Sequence, residues 1–283
     1  MALRINYNLA SSVAQRSLGS SQDNYARQAE RLATGLRINK AGDDAAGMAI
    51  SERLKNQVRG LNQAQRNAQD GISLIQTAEG AMGEAHNLLA RMRELAVQAA
   101  NDTVTSTDRS NILTEFTSLY AEIDRIATST QFNGVAILTG GSTALSLQIG
   151  ANSNNSLVND NVISLNITPG GSFYASVLSP TMTDMGVTSQ SVANLAISTL
   201  DAAINAVSTA RTSVGSMQSR LESASRSIAV ASENAAAANS RIADADIASS
   251  MSELVRAQIL QQAGISVLAQ ANQAPSLVLQ LLK

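Results

Sequence analysis

The sequence predicts a mainly α-helical protein: a long antiparallel helical bundle or coiled coil formed by both chain ends, with a small β-hairpin region in the middle. Two patterns and one absence carry that prediction. Apolar residues near both ends recur at alternating three- and four-residue steps, while the middle switches to a period of two. Bulky core formers are scarce, with no Trp, 3 Phe and 4 Tyr in 283 residues. Helix contacts therefore fall to Ala and medium aliphatics at close interaxial distance.

Residues from about Ile5 to Leu32 predict a first amphipathic helix, with Ile5, Leu9, Val13, Leu18, Tyr25 and Leu32 on or near one stripe. Gly35 marks its end. The segment Thr34 to Gly42 breaks the periodicity with glycines and an Asn, so it reads as a connector between helices. Asp43 and Asp44 follow. Adjacent carboxylates can suggest a metal site, but at the start of a helix capping and the macrodipole explain them better.

The next helix runs to about Ala100 and carries the seam Leu54, Val58, Leu61, Ala68, Ile72, Ile75, Met82, Ala85, Leu89, Met92, Ala96 and Ala99. Five glycines between Gly47 and Gly83 fall inside it, so packing must outweigh their poor helix propensity. After a polar turn, Ser106 or Thr107 is placed to cap another helix, with Ile112, Phe116, Leu119, Ile123 and Ile126 on one side. Beyond Gln131-Phe-Asn-Gly the period changes. Leu145, Leu147 and Ile149, and then Ile163, Leu165 and Ile167, alternate with polar residues and predict short strands in a region of about 135–190. Its exposed hydroxyls make Ser142, Thr143, Ser172 and Ser176 candidate glycosylation positions.

The return helix is predicted from near Ser191 to about Ala243, with Leu200, Ile204, Val207, Val214, Leu221, Ile228, Ala231, Ala235, Ala238 and Ile242 answering the first seam. Ala243-Asp-Ala-Asp246 reads as a second connector opposite the first. Met251 to Asn272 predicts a last amphipathic helix carrying Leu254, Ile259, Ile265 and Leu268, and Pro275 precedes an apolar tail with Leu277, Leu279 and Leu282. Such a tail must dock on the first helix or be buried by other copies.

Composition excludes several function classes. The net charge of −2 argues against an electrostatic grip on nucleic acid or on anionic membrane. No apolar run approaches the roughly 18 residues that cross a bilayer, and the N-terminus lacks the apolar core of a cleavable signal. With no Cys and a single His, disulfides, thiolate catalysis and zinc sites fall away, and no cofactor is expected. His86 reads as a helix-surface or bundle-edge residue. Neither a His-Glu-x-x-His nor a phosphate-binding or nucleophile-elbow motif occurs, so an enzyme is not expected.

These residues resemble bacterial flagellin, the subunit of the flagellar filament. The resemblance runs through Ile5-Asn-Tyr-Asn, Gln28-Ala-Glu-Arg-Leu-Ala-Thr-Gly-Leu-Arg-Ile-Asn39, Asp43-Asp-Ala-Ala-Gly-Met-Ala-Ile-Ser51, Asn67-Ala-Gln-Asp-Gly-Ile-Ser73, Met92-Arg-Glu-Leu-Ala-Val-Gln98 and Thr130-Gln-Phe-Asn-Gly134. It resumes through Asn234-Ala-Ala-Ala-Ala-Asn-Ser-Arg-Ile-Ala-Asp-Ala-Asp246 and Gln270-Ala-Asn-Gln273. Essentially only 135–190 is unmatched.

The resemblance implies a terminal coiled-coil core domain of 1–42 plus 244–283, joined through Gly35, Gly42, Asp43 and Asp44 to a helical domain of 43–243, with no large outer domain. Ile5, Leu9, Leu18, Tyr25, Leu32, Met251, Leu254, Ile259, Ile265, Leu268, Leu277, Leu279 and Leu282 would pack the core domain. It further implies unfolded export through the flagellar type III apparatus and an extracellular filament. The implied partners are further copies, an export chaperone on roughly Met251 to Lys283, and cap and hook-filament junction proteins. Animal innate-immune receptors would read positions matching Arg91, Leu95 and Glu115, which also serve subunit packing. The competing readings are a hook-filament junction-type protein and a secreted coiled-coil adhesin.

Overall fold

The computed structural model describes residues 8–139, 145–152, 161–165 and 187–281, with backbone alone for 274–281. Its elements are α1 (Leu9–Thr34), α2 (Ala45–Ala99), α3 (Ser106–Ser129), β1 (Gln131–Phe132), β2 (Val135–Ala136), β3 (Leu145–Gln148), β4 (Val162–Leu165), α4 (Gln190–Ala243) and α5 (Ile247–Leu281). The protein is mainly helical, long helices from both ends pack together, and the strands form small hairpins between them. Of the residues singled out above, Ile5, Ile167, Leu282, Ser142, Thr143, Ser172 and Ser176 lie outside the described residues, as do the side chains of Leu277 and Leu279. By contacts the chain divides into Met1–Asn56 with Asn234–Lys283, and Gln57–Glu233.

In the first unit α1 and α5 run antiparallel. Helix α1 opens at Leu9, where the Asn8 side chain caps it by accepting from the Ser11 amide at 3.1 Å. The same side chain donates from Nδ2 to the Ala271 carbonyl at 2.7 Å. That carbonyl needs a partner. Helix α5 continues through Pro275, which has no N–H to offer the residue four positions back. Asn8 thus caps one helix and satisfies the carbonyl that a proline orphans in the other. The last helix is longer than Met251 to Asn272 at both ends: it starts at Ile247 because Asp246 Oδ1 accepts from the Ala248 and Ser249 amides at 2.9 and 3.2 Å. Where α2 begins and α4 ends, buried Ser51 donates to Asn239 Oδ1 at 2.7 Å, a polar contact that selects one register.

The second unit is built on the α2 seam. Ala68, Ile75, Met82, Ala85, Leu89, Met92, Ala96 and Ala99 are all 0% exposed, as are Leu200, Val207, Val214 and Leu221 of α4. Each large aliphatic in that set contributes about 1.5–3 kcal/mol. Helix α3 folds back and adds Ile112, Phe116 and Ile123 to the same core. Its cap is Thr105, one residue before the expected Ser106, in a reciprocal box with Asp108.

After α3, Asn133 and Gly134 take positive φ of 49° and 77° and turn β1 back onto β2. The signature of a two-residue hairpin turn, Asn-Gly between short runs, marks it in the sequence. Strands β3 and β4 pair antiparallel from Leu145 with Leu165 to Gln148 with Val162, where the period-two pattern predicts strands. The segment leaving β3 lies against α2: a Cβ at Gly60 would stand 2.8 Å from Ala151 Cβ and 3.2 Å from its Cα.

Two outcomes follow. Asn8→Ala should destabilise the α1–α5 pair by about 1–2 kcal/mol, and Pro275→Ala, which restores a backbone donor for Ala271, should shrink that penalty; hydrogen exchange of the α1 and α5 amides reads both. Gly83 has nothing within 4 Å of a built Cβ, so Gly83→Ala should stabilise by up to about 1 kcal/mol in urea unfolding, whereas Gly60→Ala should destabilise.

Candidate functional site

Among the described residues there is no group of three or more metal-ligating side chains, and no helix is long and apolar enough to cross a membrane. His86 is half-buried on α2, its Nδ1 without a hydrogen-bond partner. What the structure builds instead is a chain crossing and a set of helix surfaces.

The crossing joins the two connectors. Helix α1 stops at Gly35, whose φ of 71° ends it in the left-handed conformation while its N–H reaches Arg31 O at 2.8 Å. Leu36 then pairs with Asp244; the Arg37 amide donates to Ala243 O at 2.7 Å and the Ala245 amide to Gly35 O at 2.9 Å. The Arg37 guanidinium adds a third strut, Nη2 to Ile242 O at 2.7 Å, closing a carbonyl at the end of α4. Ile38 is buried beneath.

The two acids divide their labour. Asp44 Oδ1 accepts from the Gly47 amide at 2.8 Å and caps α2. Asp43 sits one residue earlier and closes the turn from Lys40 to Asp43, its Oδ2 accepting from the Asn39 and Lys40 amides at 3.1 Å each. Those donors, Lys40 first and Asn39 second, hold the Asp43 carboxyl below its ordinary value of 3.8. Lys40 itself, hydrogen-bonded to Glu30 at 2.8 Å, is held further toward the cation.

Arg91, Leu95 and Glu115 come together where α2 meets α3. The Arg91 guanidinium donates to Glu94 at 3.0 Å and to Glu115 at 2.9 Å, and these carboxylates raise its pKa above the ordinary value. Arg91 and Glu115 are exposed. Leu95, 2% exposed, lies in the core beneath them.

The residues singled out for the α1–α5 pair split into two groups. Leu18, Tyr25, Leu32, Leu254 and Leu268 are half-buried, while Leu9, Met251, Ile259 and Ile265 are 61, 48, 60 and 54% exposed. Among the described residues of these helices the buried apolar side chains are Ala14 and Ala257. An open apolar groove runs between Leu9, Val13 and Leu18 on α1 and Leu260, Gly264 and Val267 on α5. Sequence reasoning passed over Asn8, Arg37 and Thr105. Asn8 and Thr105 were visible as polar residues directly before helical runs, the latter with an acid three positions on; nothing local distinguishes Arg37 from its neighbouring cations.

Antiparallel terminal helices, matched connectors and bulky aliphatics left on the surface define a structural subunit, one whose function resides in its faces rather than in a pocket. Residues 5–143 match the bacterial flagellin N-terminal helical region and 197–282 match the bacterial flagellin C-terminal helical region. A flagellin of Halalkalibacterium halodurans is 46% identical over 99% of both chains, and a flagellin of Bacillus subtilis is 41% identical over 99% of this chain and 100% of its own. A Vibrio parahaemolyticus structure described as a flagellar hook-associated protein shares the fold, with a TM-score of 0.55 and 15% identity over 71% of this chain and 100% of its own. The chain belongs to the bacterial flagellin family, structural and non-enzymatic proteins that form the flagellar filament.

Acid should loosen the connector from one side only. Because folding lowers the Asp43 pKa, its stabilisation is complete above the ordinary value of 3.8 and is lost as pH falls through the lower folded value. Asp108, lowered by the Thr105 hydroxyl and then the Thr105 amide, behaves the same way. In an acid titration below 3.8, amide exchange should quicken at Lys40 and Thr105, while the Arg37 amide, bonded to the Ala243 carbonyl, should change less.

Proposed function

We propose that this flagellin is exported unfolded through the flagellar type III apparatus and adds to the distal end of an extracellular filament that drives swimming. The observation that carries this reading is the surface of α5, which leaves Ile259, Leu260, Ile265 and Val267 more than half exposed even though α1 covers one side. Ordering a residue costs about 1–2 kcal/mol, and a helix pair that leaves its large aliphatics in water recovers little of it. Neighbouring copies supply the missing burial.

On this reading 1–42 and 244–283 form the core domain, largely unstructured in the free subunit and ordered in the filament, and 43–243 forms the next shell. The exposed apolar residues from Met251 onward suit an export chaperone before secretion. Cap and hook-filament junction proteins meet the filament ends. Arg91 and Glu115 present the exposed part of the surface that innate-immune receptors read, with Leu95 supporting it from within.

Purified protein should form long helical filaments in electron micrographs; short oligomers that do not propagate would favour a junction-type protein or an adhesin. Hydrogen exchange should be fast at both ends of the free subunit and slow in the filament, and strong protection of both ends in the monomer would refute the ordering scheme. A receptor-reporter assay should respond to the monomer and lose response with Arg91→Ala or Glu115→Ala.

A further inference from the structure

Near the C-terminal end of α3, that helix and α2 border an open groove of about 380 Å³. Ala81, Leu88 and Ile126 give it apolar walls, and Gly80 stands where a Cβ would meet nothing within 4 Å. Its charge is negative. Glu122 is occupied by Arg125, with contacts of 2.8 and 2.6 Å, but Glu84 is exposed and makes neither a hydrogen bond nor an ion pair. The last turn of α3 adds the negative end of its dipole. A cation on an apolar stem fits this combination: methylenes along the walls, head group at Glu84.

No arginine of the same unit is available to fill it. Arg91 is held by Glu94 and Glu115, Arg93 by Asp201, Arg109 by the Ala99 and Asn101 carbonyls, and Arg211 faces Glu79 at 3.7 Å. Among the described residues of this unit, the arginines without any partner are Arg59, Arg220 and Arg226, all exposed. The antiparallel register of α2 on α4, set by Glu79 with Arg211 and Asn62 with Ser232, places them about 18–38 Å from Glu84 along the helix axis. The distance exceeds the reach of a side chain.

We propose that this groove receives an unpaired arginine, Arg59, Arg220 or Arg226, from a second copy of the chain. Groove and cation lie at different positions along one unit, so the contact is heterologous and repeats from copy to copy without closing. The inference rests on the filament reading above and deepens it by naming one of the surfaces through which copies meet. The occupant is argued from charge: in the groove Arg125 is taken by Glu122 and Glu84 is left free, while Arg59, Arg220 and Arg226 keep free guanidiniums in a section that also carries the carboxylates of Asp70 and Glu233.

Critical concentration for polymerisation at low salt is the readout. Glu84→Arg should raise it about tenfold, Glu84→Gln should raise it less, and both monomers should keep wild-type helicity and melting. Combining Glu84→Arg with Arg59→Glu, Arg220→Glu or Arg226→Glu should restore assembly in at least one pairing. Wild-type filaments alongside an indifferent Glu84→Arg protein, or a loss that no pairing restores, would overturn this contact and leave the filament reading standing. A wild-type protein that forms no filaments would overturn the filament reading, and the contact with it.

Discussion

Everything in the second unit depends on one constraint: α2 must keep a single narrow stripe turned inward over its whole course there. From Leu61 onward the stripe steps by three and four residues through Ala64, Ala68, Gly71, Ile75, Ala78, Met82, Ala85, Leu89, Met92, Ala96 and Ala99, a period of 3.5. Seven of these twelve are Ala or Gly. Small residues between Ile75, Met82, Leu89 and Met92 let neighbouring backbones approach, and the large ones then interdigitate at interior density. Helix α3 and the hairpins attach to the flanks of that stripe, which is why the core extends to Phe116, Ile123, Leu138 and Leu165.

The charged pairs beside the seam do a different task. Arg93 with Asp201, Arg211 with Glu79, and Arg91 with Glu115 are all exposed, so solvent screens them and they add little to stability. Each joins two helices at a fixed height, as do Asn62 with Ser232 and Ser51 with Asn239. A seam rich in alanine tolerates sliding by a heptad. Polar and ionic partners that match in one register only remove that freedom.

Much of this was legible because the signal is periodic and local. The stripe, the helical hairpin, the paired strands at Leu145 and Leu165, and the two connectors follow from spacing and from Gly, Asn and Asp at their ends. What escaped depends on partners distant in sequence. Pro275 marks a helix end only if its missing donor stays unanswered, and the answer is Asn8, 263 positions away from the Ala271 carbonyl it serves. Arg37 looks like any surface cation until Ile242 arrives beside it. The β1–β2 hairpin was readable in Asn133-Gly134, but strands of two residues carry no periodicity to confirm it. At the α2–α3 surface, nothing local in the sequence brings Glu115 of α3 to Arg91 of α2, 24 positions earlier.

The contrast between the units bears directly on function. The second encloses the large aliphatics of its seam, while Val97, Val135, Leu195 and Val230 stay exposed on its outside. The first buries Ile38 at its connector but, between α1 and α5, only Ala14 and Ala257 among the described side chains, leaving Leu9, Ile259 and Ile265 in water, and α5 is apolar around its circumference rather than along one stripe. One partner helix covers one side of such a helix; the remainder calls for two or more neighbours. On the reading proposed above, the exposed aliphatics of α1 and α5 are covered by other copies, which makes assembly part of the folding of this unit. Polymerisation then needs no separate latch: the free energy that the first unit lacks alone is the driving force for adding the next subunit.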